Sequence, residues 1–233
     1  MGACRLGTVD SWMAEEMATA RPVRWPWLCI DTKACDVTLP TTQSVRGSHM
    51  KPVKDASHAM LDALHASGPA QSHESDLMLF GQFVGSWSLD VIYYNHDGSV
   101  RWRTPGEWHF GWALEGRAIE DVWMVPPRSQ RITGPKPAGE FGVTLRFYDP
   151  RLGAWRSTWH GPVNGYVLPF IAKAVGDEIV LERSENGEAT RWIFGRIKPD
   201  SFYWRAVNSA DGGKSWRLDQ EMFATRVGRP PRK

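Results

Sequence analysis

Ten tryptophans fall between Trp87 and Trp216, most of them in short alternating segments separated by turn residues. A period of two is the signature of a β-strand, whose successive side chains point to opposite faces. Trp87, Leu89, Val91 and Tyr93 alternate in one segment, and Trp108, Phe110 and Trp112 in another. A strand face this bulky and apolar must be covered. A sheet closed on itself covers it and leaves no free edge. The expectation is an all-β fold, an antiparallel up-and-down barrel of about ten strands, whose interior such indole rings can line.

Ten segments carry the alternation: residues 84–93, 100–112, 118–125, 143–148, 154–160, 166–174, 178–183, 189–197, 202–208 and 215–227. Turn chemistry separates them, at Asn95-His96-Asp97-Gly98, Glu115-Gly116, Asp149-Pro150, Asn186-Gly187 and Ala210-Asp211-Gly212-Gly213. The second segment is expected to break at Pro105-Gly106, because proline cannot donate to a ladder. Two short helices precede the strands. Met60, Leu61 and Leu64 form a helical stripe in 57–65, and Leu79 and Phe83 stand four apart in 75–83, where Ser75 is the expected cap. The second helix is placed at one end of the barrel as a lid.

Residues 1–55 differ in kind: small, polar and proline residues without a sustained period. They are expected to be a disordered, foreign or mis-called leader. The run Arg46-Gly47-Ser48-His49-Met50 reads as a foreign junction that puts the natural start at or near Met50. The expected organisation is therefore a leader over 1–55, short helices over 56–83, the barrel over 84–227 and a basic tail over 228–233.

Composition excludes several classes. A formal charge of +2 is too small to argue for nucleic acid or a membrane surface. No apolar run approaches the roughly 20 residues that cross a bilayer as a helix. Cys4, Cys29 and Cys35 lie outside the strands and show no zinc or redox spacing. The cytoplasm is the default location.

Gly85-Ser86-Trp87 after a short helix, opening a run of about ten strands, resembles the start of calycin-like barrels, which include lipocalins, fatty-acid-binding proteins and nitrobindins. Pro105-Gly106-Glu107-Trp108-His109-Phe110-Gly111-Trp112 and Ser209-Ala210-Asp211-Gly212-Gly213-Lys214-Ser215-Trp216 look like an uncharacterised bacterial calycin-like group. The resemblance implies a barrel with an internal cavity and no particular reaction. Nitrobindins hold haem through a histidine near their last strands. Residues 202–208 and 215–227 contain none, and a lone Met222 thioether is a poor substitute, so no cofactor is expected. Nor does any His pair at metal-ligand spacing point to a metal.

Candidate ligand-binding residues are Trp87, Trp108, Trp112, Trp123, Arg146, Trp159, His160 and Trp204. Arg146 shares a face with Thr144 and Tyr148, and Asp121 sits in phase with Ile119 and Trp123. Glu107 and His109 share the face opposite Trp108 and Phe110 and form a candidate acid–base pair. Which of the two faces lies inside is not decided by alternation. The long connection 126–140, with Arg128, Arg131 and Lys136, reads either as a solvated loop or as a lid over the mouth. The expected partner is a small hydrophobic or aromatic molecule, with no nucleic acid and no membrane. The alternatives are a cofactor-free isomerase, cyclase or hydratase using Glu107 and His109, and an interaction protein whose aromatic face pairs two copies as a homodimer.

Overall fold

The computed structural model describes residues 56–130 and 139–228, all within the compact unit Met50–Lys233. The expectations for 1–55, for the middle of the long connection and for most of the basic tail lie outside the described residues. Helix α1 (Ala56–Leu64) runs into a two-residue strand, β1 (His65–Ala66), and α2 (Glu74–Gly81) follows. The remaining strands are β2 (Gly85–Tyr94), β3 (Val100–Ala113), β4 (Ala118–Val125), β5 (Glu140–Asp149), β6 (Ala154–Gly161), β7 (Tyr166–Val175), β8 (Glu178–Glu185), β9 (Glu188–Gly195), β10 (Ser201–Ser209) and β11 (Arg217–Val227).

From β2 to β11 each strand pairs antiparallel with its neighbour in the chain, and β11 closes onto β2. The result is a closed ten-stranded meander, a form that fits the calycin-like fold. The short β1 adds to β3 at Ala113 and Trp112. No helix among the described residues is long and apolar enough to cross a membrane.

Two local expectations change. Strand β3 runs unbroken through Pro105 and Gly106. At Thr104 and Pro105 it has only β2 as a ladder partner, because the pairing with β4 begins at Glu107, so the missing N–H is tolerated as on an edge strand. Helix α2 starts one residue earlier than expected, and its cap position is His73 in the left-handed region rather than Ser75. No side chain caps it; Glu74 and Asp76 in its first turn complement the helix dipole instead.

Alternation sorts the interior. Trp87, Leu89 and Val91 of β2, Trp108, Phe110 and Trp112 of β3, Ile119 and Trp123 of β4, and Trp155 and Trp159 of β6 are all buried. The apolar face is the inner face. Helix α2 closes the end where β2 begins. Its Leu77 and Phe80 are buried there, and Gly81 allows close approach to the Trp112 ring. Phe80 and Phe83 interlock edge-on or tilted with Trp155, Phe194, Phe202 and Trp87. Arg226 of β11 straps this plug in place. Its guanidinium donates to the Val84 and Gln82 carbonyls at 2.8 Å each and to Pro199 O, and it lies 4.0 Å from the Trp87 ring centroid. The bonds to Gln82 and Val84 serve carbonyls just past the helix exit that have no intrahelical donor.

The opposite end has no such plug among the described residues. There lie the hairpins after β2, β6, β8 and β10. Both register shifts among the barrel pairings, at Tyr93/Tyr94 and Ala206/Val207, fall near that end. Bulges of this kind sharpen twist and re-aim side chains at barrel rims.

Candidate functional site

Between plug and rim lies a cavity of about 540 Å³. Its walls are aromatic: Trp108, Trp123, Trp159, Trp192, Trp204 and Phe194, supplied by β3, β4, β6, β9 and β10. The rings brace one another. Trp159 meets Trp123 and Trp192 edge-on at 5.8 and 6.3 Å between centroids, and Trp192 stands 5.7 Å from Trp204. Trp123 donates its indole N–H to the Met222 sulfur at 3.2 Å, which fixes the ring against the facing strand. Nearer the mouth the lining turns polar, with Tyr93, Arg101, Glu140, Asn164, Asn208 and Gln220. Burial pushes the Tyr93 phenol well above its usual range, and the nearby Glu140 charge adds to this.

One charged side chain lines the cavity at depth. Arg146 of β5 is 1% exposed and ion-paired through Nη2 with Asp121 of β4, itself fully buried. Asp121 also accepts the Trp108 indole N–H at 2.7 Å and a bond from Thr144. Burial pushes the Asp121 carboxyl up and the Arg146 guanidinium down, each opposed by the attraction of the other. The guanidinium carbon sits 4.6 Å from the Phe80 centroid and 5.6 Å from that of Phe110, so the plug also packs on this charge.

The structure gathers Trp108, Trp123, Arg146, Trp159 and Trp204 around the cavity. Trp87 and Trp112 are interior but do not line it; they pack beneath, against Phe202 and α2. His160 is exposed on the outer wall of β6. Glu107 and His109 also face outward, half-buried. There they form a cluster with Ser86, whose hydroxyl stands 2.9 Å from His109 Nδ1, and with Arg128, whose Nε donates to Glu107 at 2.7 Å. Burial opposes ionisation of Glu107, yet Arg128 outweighs it through side-chain and backbone bonds and holds the carboxyl below its usual range. The described start of the long connection, a 3₁₀ turn at Arg128–Gln130, is thus tied to the outer wall.

Trp192, Thr144, Gln220 and Tyr93 belong to the site and were not among the candidates. Their signal was phase: Thr190, Trp192 and Phe194 alternate, and Arg191 points the other way to Glu182. Among the described residues no group of three His, Cys, Asp or Glu side chains is arranged to hold a metal.

No protein-family model matches the chain, and no curated protein does. Among solved structures, the S-type phycobiliprotein lyase CPES from Guillardia theta is similar, with 12% identity over 69% of this chain and 99% of that chain and a TM-score of 0.43.

Proposed function

We propose that this protein binds a small hydrophobic or aromatic molecule inside its barrel. The supporting observation is the aromatic-walled cavity of about 540 Å³, plugged at one end and reached through a polar rim at the other. Its volume lies in the range of small-molecule sites, and its few polar groups at depth suit orientation of a ligand more than solvation. The alternative of a cofactor-free isomerase, cyclase or hydratase asks Glu107 and His109 to face that space, and both stand on the outer wall.

Titration of planar aromatic compounds into the full chain, followed by tryptophan fluorescence and native mass spectrometry, tests the reading. Saturable quenching with a one-to-one mass adduct is expected. Absence of quenching across the series would overturn it.

A further inference from the structure

We infer that the molecule held in this cavity is uncharged and carries a carbonyl-type oxygen that accepts hydrogen bonds deep in the barrel. The inference rests on the ligand-binding reading above.

The first ground is a surplus of donors. Arg146 commits Nη2 to Asp121, while its Nε and Nη1 are buried without an acceptor. Trp204 Nε1, on another lining side chain, is buried without one as well, and so is Gln220 Nε2 nearer the mouth. Guanidinium and indole N–H groups can only donate. Asp121, the buried carboxylate beside them, already accepts from Arg146, Trp108 and Thr144. Buried donors left unmatched are costly, and an acceptor oxygen brought by a ligand removes that cost.

The second ground is charge balance, which selects among acceptors. Arg146 and Asp121 cancel within one buried pair. At the mouth the lining carries one cation, Arg101, and one carboxylate, Glu140, and Asp219 is paired with Arg217 at 3.0 Å. Among the described residues, the wall and its direct partners therefore carry no net charge. A carboxylate driven to this depth would place a second negative charge beside Asp121 in a poorly solvated space. A neutral carbonyl satisfies the same donors without that penalty, and the surrounding indoles favour a flat body.

Three tricyclic probes separate the cases: 9-fluorenone, fluorene and fluorene-9-carboxylate, titrated calorimetrically at pH 7 into the full chain and into Trp204→Phe. Fluorenone is expected to bind about tenfold tighter than either analogue, the scale of one to two net hydrogen bonds. Trp204→Phe, which keeps an aromatic side chain but loses the indole donor and part of its contact surface, should weaken all three probes and shrink the preference for fluorenone several-fold. Fluorene binding as tightly as fluorenone, the carboxylate binding tightest, or a preference untouched by Trp204→Phe would each overturn the inference while the barrel remains a binding protein. Failure of all three probes to bind would overturn the inference together with the reading it rests on.

Discussion

Arg146 and Asp121 form an ion pair in the interior of the barrel, on adjacent strands and with side-chain exposures of 2% and 0%. Neither charge reaches water, so each depends on the other and on the donors around them. Trp108 links the pair to the aromatic wall through its indole N–H. Structural integrity and ligand orientation therefore share one small polar cluster.

Arg146→Met should destabilise the protein by about 3–5 kcal/mol, because it leaves a buried carboxylate without its cation. Asp121→Asn combined with Arg146→Met should recover part of that loss. Urea unfolding of the wild type, the single and the double variant checks both statements. A single variant as stable as the wild type would contradict the buried pair.

Gly142→Ala should cost about 1–3 kcal/mol through overpacking. An added Cβ would lie 2.7 Å from the Trp159 ring and against the His160 carbonyl, neither of which is free to move far. Loss of stability with an altered near-ultraviolet dichroism signal is expected, since Trp159 is part of the cavity wall.

Arg226→Ala should loosen the plugged end, because three backbone carbonyls lose their donor and Trp87 loses the cation over its ring. A cost of about 1–3 kcal/mol is expected for charge-assisted bonds that are partly solvated. Hydrogen exchange should accelerate in α2 more than in β6–β8.

Glu107→Gln and His109→Ala should leave ligand affinity within about twofold and stability within about 1 kcal/mol, as expected of a half-exposed charge cluster. Calorimetric titration with a bound probe and thermal melts decide this. A large loss of affinity would show that the outer cluster communicates with the cavity.

Acid should weaken the hairpin before β11. The Ser215 hydroxyl, the Ser215 amide and Ser209 hold the Asp211 carboxyl far below its ordinary value of 3.8. A carboxyl depressed in the folded state contributes stability that is fully present above the unfolded value and is lost as pH falls from there toward the folded one. Melting temperatures recorded from pH 7 down to pH 3 should therefore fall below about pH 4, and less steeply for Asp211→Asn.

Much of the fold was legible because the interior is built from long, uninterrupted alternation. Trp108, Phe110 and Trp112 announce a strand whatever their surroundings, and Asn186-Gly187 announces a turn. Pro105 misled for a local reason: its missing N–H matters only where strands flank both sides, and only the assembled sheet shows that β3 has one partner there. Trp87 and Trp112 carry the same alternation signal as Trp108, yet they pack below the cavity because α2 with Phe80 and Phe83 fills that end.

The sequence by itself determined the ten strands of the barrel, the pairing of neighbours and the two sets of side chains on each strand, because these follow from local period and turn chemistry, whereas the two-residue β1 carries no such period. Only the tertiary structure decided which set is inside. Closure of β11 onto β2 and packing of α2 across one end turned the tryptophan face inward and left Glu107, His109 and His160 outside. It also brought Asp121 and Arg146, 25 residues apart in the chain, into one buried pair. The physical reason is that alternation has no sign: it separates two faces, and only the burial of apolar surface on closure tells them apart.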